Sequence, residues 1–311
     1  MKYIQDLKEG SSVNDIYLCR KKLSLVTKNG KAYESLTLQD KTGSVDAKIW
    51  DPGSAGIEEF DELDYIDIVG DVTVFQGKLQ VNVKRARRCR EGEYDPKDYL
   101  PVSDRSVDEM FSELLHLAGS VRDPHLHKLL ELFFVKDHAF IEAFRFSSAA
   151  KAVHHGYVGG LLEHTLGVAN LCNYLASAYP VLNRDLLITA AILHDVGKVQ
   201  ELAPFPKNDY TDAGQLIGHI VIGVEMINEK LREIPDFPAL LSAELRHCIL
   251  AHHGEYEFGS PKKPAIIEAA ALNFADNTDA KMEIFKELLE KPTEQDWLGF
   301  QNLVDSNVRR T

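Results

Sequence analysis

Between residues 10 and 90 the chain alternates apolar and polar side chains. Leu36 and Leu38 alternate with Ser35, Thr37 and Gln39; Val45, Ala47 and Ile49 with Asp46, Lys48 and Trp50; Leu79, Val81 and Val83 with Gln80, Asn82 and Lys84. A period of two with one apolar face predicts half-buried strands. Turn-forming runs punctuate them: Lys28-Asn29-Gly30-Lys31, Asp40-Lys41-Thr42-Gly43 and Gln76-Gly77-Lys78. A short helical stretch over 55–63 is expected before the fourth strand, Tyr65–Phe75. Five short strands with a helix before the fourth is the plan of an OB-fold β-barrel. From Val107 the period turns helical, with segments expected over 107–119, 124–134, 137–146, 159–178, 184–194, 213–231, 238–252 and 264–290. Residues 91–106, charged and broken by Pro96 and Pro101, read as a linker. The expected chain is therefore multidomain: a five-stranded OB-fold barrel over 1–90, a linker over 91–106, and an all-α bundle over 107–311.

Parity assigns the faces of the barrel. If Leu36, Leu38, Val45, Ala47 and Ile49 fill it, then Tyr33, Ser35, Thr37, Lys48 and Trp50 point outward on strands two and three. OB-folds bind oligonucleotides on that face. Tyr33 and Trp50 beside Lys48 would offer base stacking and a phosphate contact. Ordinary packing of Trp50 under the following helix is the alternative. Lys84 belongs to a second basic strip, Lys84-Arg85-Ala86-Arg87-Arg88-Cys89-Arg90.

Charge sharpens the division between the halves. Of 35 basic and 48 acidic residues, residues 1–90 carry 15 and 14, leaving 20 and 34 for the remainder. The acidic helical part would repel a polyanion unless metal ions or a local basic strip offset its field. No apolar run approaches the roughly 20 residues of a membrane helix. The N-terminus turns polar at once, so no signal peptide is expected. The cysteines Cys19, Cys89, Cys172 and Cys248 are scattered without a C-x-x-C pair, which fits a reduced cytoplasm.

The histidines concentrate between His116 and His253, and a subset shares a pattern with aspartate: His164, His194-Asp195, His219, His252-His253 and Asp276. Each falls on a separate expected helix or at its end. His164 shares a face with Leu161, Val168 and Leu171, His252 with Leu245 and Ile249, and Asp276 with Leu272 and Ala269. One inward histidine is usually a satisfied core residue. Six such groups on facing helices are how bundles build dinuclear carboxylate and imidazole sites, because unpaired buried charge is expensive. Imidazole and carboxylate donors without thiolate favour Mn, Fe, Zn, Co or Mg. Asp195, with two oxygens, is the natural bridging ligand.

Leu193-His194-Asp195-Val196-Gly197-Lys198 resembles the HDxGK signature of the HD-domain metal-dependent phosphohydrolases. The order His164, His194-Asp195, His219, His252, Asp276 is similar to that family's H…HD…H…H…D pattern. The resemblance implies a first metal on His164, His194, Asp195 and Asp276. It implies a second on Asp195, His219 and His252, with His253 as a further candidate. Taken with the barrel and with His154-His155-Gly156-Tyr157-Val158-Gly159-Gly160 leading into His164, nearly the whole chain resembles the YhaM-type bacterial 3′–5′ exoribonucleases. That implies a cytoplasmic enzyme with two divalent ions, manganese foremost, trimming single-stranded RNA, and often DNA, to nucleoside 5′-monophosphates. A membrane partner is not implied, and a homo-oligomer stays open.

In that chemistry, Asp195 and Lys198 are the catalytic candidates. Lys198, a turn after His194, would meet a phosphate oxygen, or simply serve the helix dipole. His154 and His155 would contact the terminal nucleotide or else pack at the start of the helix. Glu163, beside His164 in sequence, is expected to face solvent. An HD phosphohydrolase acting on nucleotides or cyclic dinucleotides is the first alternative, although His252-His253-Gly254-Glu255-Tyr256 lacks the GYP motif of the cyclic-dinucleotide class. An HD-type di-iron oxygenase is the second. A binding module with a merely structural metal is the third.

Overall fold

The computed structural model describes residues 2–151, 155–290 and 295–311. The chain forms two compact units, Met1–Val102 and Ser103–Thr311.

The first unit is a closed barrel of β1 (Ser12–Val26), β2 (Ala32–Asp40), β3 (Gly43–Ile49), β4 (Tyr65–Phe75) and β5 (Lys78–Arg88), in the order β1-β2-β3-β5-β4. β3 and β5 pair in parallel, and the other pairs are antiparallel. β1 serves both β4 and β2, and a bulge between Cys19 and Lys21 lets it turn from one to the other. The period-two positions close the core: Leu36, Leu38, Val45, Ala47, Ile49, Val81 and Val83 are all buried. No helix forms over 55–63. Pro52, Gly53 and Gly56 disfavour one, and the backbone instead bonds along β5. Ala86 N donates to Gly56 O at 3.0 Å, and Glu58 N donates to Ala86 O at 2.8 Å. Residues 91–102 pack on the barrel: Tyr94 stacks on Tyr65 with centroids 3.8 Å apart, and Tyr99 is buried.

The second unit holds α1 (Val107–Gly119), α2 (Pro124–Glu131), α3 (His138–Phe146), α4 (Gly160–Ala178), α5 (Arg184–Leu193), α6 (Lys198–Glu201), α7 (Asp212–Leu216), α8 (His219–Leu231), α9 (Ala239–Ala251) and α10 (Ile267–Glu290). α5 is the axis. Every residue from Leu186 to Leu193 is buried, as expected of a helix apolar all round. Asn183 caps its start by accepting from Leu186 N. The helix expected over 213–231 is broken in two by Gly218, whose φ of 80° no helix continues. A hairpin, β6 (Trp297–Gln301) with β7 (Ser306–Arg309), follows α10. It was not foreseen in a domain read as all-α. Among the described residues no helix is long and apolar enough to cross a membrane.

Candidate metal centre

Helix ends build this site. His194 follows the last residue of α5, and His252 follows the last of α9. The final carbonyls of a helix lack partners and carry partial negative charge. Each imidazole uses one of them: His194 Nδ1 lies 2.8 Å from Ala191 O and His252 Nδ1 2.6 Å from Ile249 O. His253 Nδ1 lies 2.9 Å from Phe258 O. Two further rings are backed by carboxylates, His164 Nδ1 by Asp279 Oδ2 at 2.7 Å and His219 Nδ1 by Glu201 Oε1 at 2.9 Å. In all five histidines Nδ1 therefore has an acceptor, which keeps a proton there and turns Nε2 toward the centre.

Those Nε2 atoms converge with two carboxylates. His164 Nε2 lies 3.2 Å from His194 Nε2, 3.2 Å from Asp276 Oδ1 and 3.5 Å from Asp195 Oδ2. On the other side of Asp195, Oδ1 lies 3.4 Å from His219 Nε2 and 3.7 Å from His252 Nε2. The two oxygens of Asp195 thus face two separate ligand groups. Three of these atoms, Asp195 Oδ1, His219 Nε2 and His252 Nε2, are buried without a hydrogen-bond partner among the described residues. Lone pairs so placed, with the two nitrogens 3.4 and 3.7 Å from Asp195 Oδ1, suit donors sharing one divalent ion at about 2.0–2.2 Å. The His and Asp clusters fit divalent metal binding.

Electrostatics agree. Burial opposes charge on Asp195, but Lys198 and His194 outweigh it and hold the carboxyl well below its usual range. Burial, with His253 and His194 adding to it, pushes His252 well below the usual imidazole range and keeps the ring neutral. Burial also disfavours charge on His164, yet hydrogen bonds to Asp276 and Asp279 outweigh it and raise the ring to about 9. This corner of the site demands positive charge.

Lys198 is not a free ammonium: its Nζ lies 2.6 Å from Asp195 Oδ2. His155 is buried, with Nδ1 2.9 Å from Tyr157 OH and Nε2 3.1 Å from Asp279 Oδ2, so both ring nitrogens are engaged. His154 lies outside the described residues. Glu163 does not face solvent unpartnered; it accepts hydrogen bonds from Ser103 Oγ and Tyr157 OH. On the barrel, Trp50 is 46% exposed and stacks on Tyr33 with centroids 5.1 Å apart, its Nε1 donating to Asn82. No helix covers it. Lys48 donates to Ser35 and lies 5.9 Å above the Tyr33 ring. Lys84 pairs with Asp71.

Two functional residues escaped the sequence reading, Glu201 and Asp279. Asp279 had a signal: three residues after Asp276 on α10, it shares that ligand's face. Gly167, one turn after His164, leaves room for it, because a Cβ there would lie 2.1 Å from Asp279 Oδ1. Gly197 of the signature is equally constrained. A Cβ there would lie 2.0 Å from His219 O, so the turn after Asp195 can seat directly on the start of α8.

A barrel of OB strand order and a helical bundle with this centre define an HD-domain phosphodiesterase. Residues 161–281 match the HD domain family. The chain is 34% identical to the 3′–5′ exoribonuclease YhaM of Bacillus subtilis (strain 168), over 91% of this chain and 89% of that one. It is 33% identical to the YhaM exoribonuclease of Geobacillus sp. (strain WCH70), over 89% and 85%. The chain belongs to the YhaM 3′–5′ exoribonuclease family. Among solved structures, the HD domain of the L. monocytogenes phosphodiesterase PgpH is similar over 51% of this chain and 77% of its own, at 19% identity and a TM-score of 0.31. The second OB-fold domain of replication protein A from Methanococcus maripaludis aligns with 30% of this chain and 100% of its own, at 21% identity and a TM-score of 0.24.

Proposed function

We propose that the chain trims single-stranded RNA, and single-stranded DNA as a second substrate, from the 3′ end to nucleoside 5′-monophosphates in the cytoplasm. The observation that carries this reading is Asp195, whose two oxygens face two groups of buried ligands with their protons already fixed. His164, His194, Asp195 and Asp276 would hold one ion. Asp195, His219 and His252 would hold the other, with His253 beside them. Manganese is the first choice for this mixture of imidazole and carboxylate.

Two such ions would polarise the scissile phosphodiester and lower the pKa of a water for in-line attack. The chain's own groups do the remaining work. Lys198 keeps Asp195 ionised and, lining the same cavity as His164, stands where a phosphate oxygen would be held. Glu201 and Asp279 keep two imidazoles in the ligating tautomer. On the barrel, Tyr33 and Trp50 would stack on bases while Lys48 meets phosphate.

The direct test uses one RNA labelled at either end and manganese-loaded protein. The expected result is immediate release of the 3′ label as a nucleoside 5′-monophosphate, while the 5′ label moves down a ladder. Internal cuts, or intact RNA beside hydrolysed free nucleotides, would overturn the reading. Equal rates on the matching DNA would set the sugar preference aside.

A further inference from the structure

Beside the metal centre, the helical unit contains a cavity of about 650 Å³ bordered by His164 and Lys198. That is within the range of small-ligand sites, about 300–1,000 Å³. Two features of its wall present side chains that the metal centre does not use. The first is Phe258, a large apolar ring that is 65% exposed and yet lines the cavity. The turn that carries it is anchored: the Phe258 carbonyl lies 2.9 Å from His253 Nδ1, and Ser260 Oγ bonds back to Leu250 O at 3.0 Å and to Lys262 O at 2.6 Å. The second is α10, which continues past Asp276 with Asn277, Ala280 and Lys281 on one stripe of the same wall. Lys281 is exposed and makes no ion pair among the described residues, whereas the other lysine of the cavity is held by Asp195.

An exposed aromatic ring on an anchored turn, an unpaired ammonium and the space for one small ligand suit an anionic, flat-faced molecule. We propose that this cavity seats the 3′-terminal nucleotide of the substrate, with its base on the Phe258 ring, its scissile phosphate on the side of the cavity where Lys198 and the metal centre lie, and Lys281 adding positive charge that draws that phosphate in. The inference rests on the exonuclease reading and specifies how that enzyme grips the unit it removes. Stacking fits a degradative exonuclease because every base has a π-face. A hydrogen-bonding reader would stall at the wrong base.

The test is calorimetric binding of AMP and of ribose 5-phosphate to the manganese-loaded full chain. Wild type should bind AMP about tenfold more tightly than ribose 5-phosphate, in line with stacking on one base. Phe258→Ala should erase that difference by weakening AMP alone, and Phe258→Trp should restore it. Lys281→Glu should weaken both ligands together. Equal affinities in wild type, or a difference that survives in Phe258→Ala, would overturn the proposal. Failure of the exonuclease reading shows separately, as 5′-labelled RNA left intact by the same wild-type protein.

Discussion

The outward face of the barrel and the buried metal centre hold their polar groups on opposite physical terms. Tyr33, Lys48 and Trp50 sit at a surface where water screens charge and contact area decides affinity. Asp195, His194 and His252 are buried at 2%, 0% and 0% exposure, where an unpaired group is costly and each neighbour fixes the next. An exposed grip loses affinity in small steps when one side chain is removed. A buried, mutually oriented centre fails as a unit. The two regions should therefore answer mutation on different scales.

The largest expected effect is His194→Ala. It removes a donor that several kcal/mol of transition-state stabilisation depend on, so kcat/KM should fall on the order of 10³-fold or more. The circular-dichroism spectrum should remain helical. A modest loss would place the buried centre on the same scale as the barrel.

Next come the carboxylates behind the rings. Asp279→Asn and Glu201→Gln should each lower manganese affinity by about 10–100-fold, read by titration with electron paramagnetic resonance. Each variant speaks for a different half of the centre. Unchanged affinity in both would mean the imidazoles hold their tautomers without help.

On the barrel, Trp50→Ala should weaken binding of a single-stranded oligonucleotide by about 1–3 kcal/mol, without changing turnover of a small phosphodiester such as bis(p-nitrophenyl) phosphate. Wild-type affinity would remove the Tyr33–Trp50 stack from the binding face. The smallest effect concerns salt. Lys22 is engaged by Glu34 and Phe60 O, and Lys84 by Asp71, which leaves Lys21, Lys48 and Arg85 as the readier phosphate partners. Two or three contacts at about −0.7 each give a slope of log K against log[salt] of roughly −1.4 to −2. A slope of zero would deny the barrel any phosphate contact.

The same contrast explains what was legible in the sequence. Leu36, Leu38, Val45, Ala47 and Ile49 announce the barrel because a half-buried strand must alternate. His164, His194, Asp195, His219, His252 and Asp276 stand out because titratable groups on apolar helix faces need a reason to be there. Glu201 and Asp279 were missed because a carboxylate that braces a ring looks, in sequence, like any polar residue on a helix. His155 and Lys198 were read as candidates without their partners: Asp279 lies 124 residues from His155, and the i,i+3 contact of Lys198 with Asp195 was passed over in favour of a phosphate. The turn over 55–63 was misread because its apolar residues, Ile57 and Phe60, serve the barrel and not a helical face. The hairpin of β6 and β7 was hidden because Trp297 and Phe300 are exposed and a bulge separates their pairings.

Through its two oxygens Asp195 would join two metal-binding groups into one hydrolytic centre. Metal-stripped protein titrated with manganese, with bound ions per chain and release of a 3′-terminal nucleotide followed together, tests this. Wild-type activity should appear as the second equivalent binds, and Asp195→Asn should stay folded, bind fewer ions and release nothing. Full activity in the stripped protein, or normal release by Asp195→Asn, would rule out a shared bridging carboxylate.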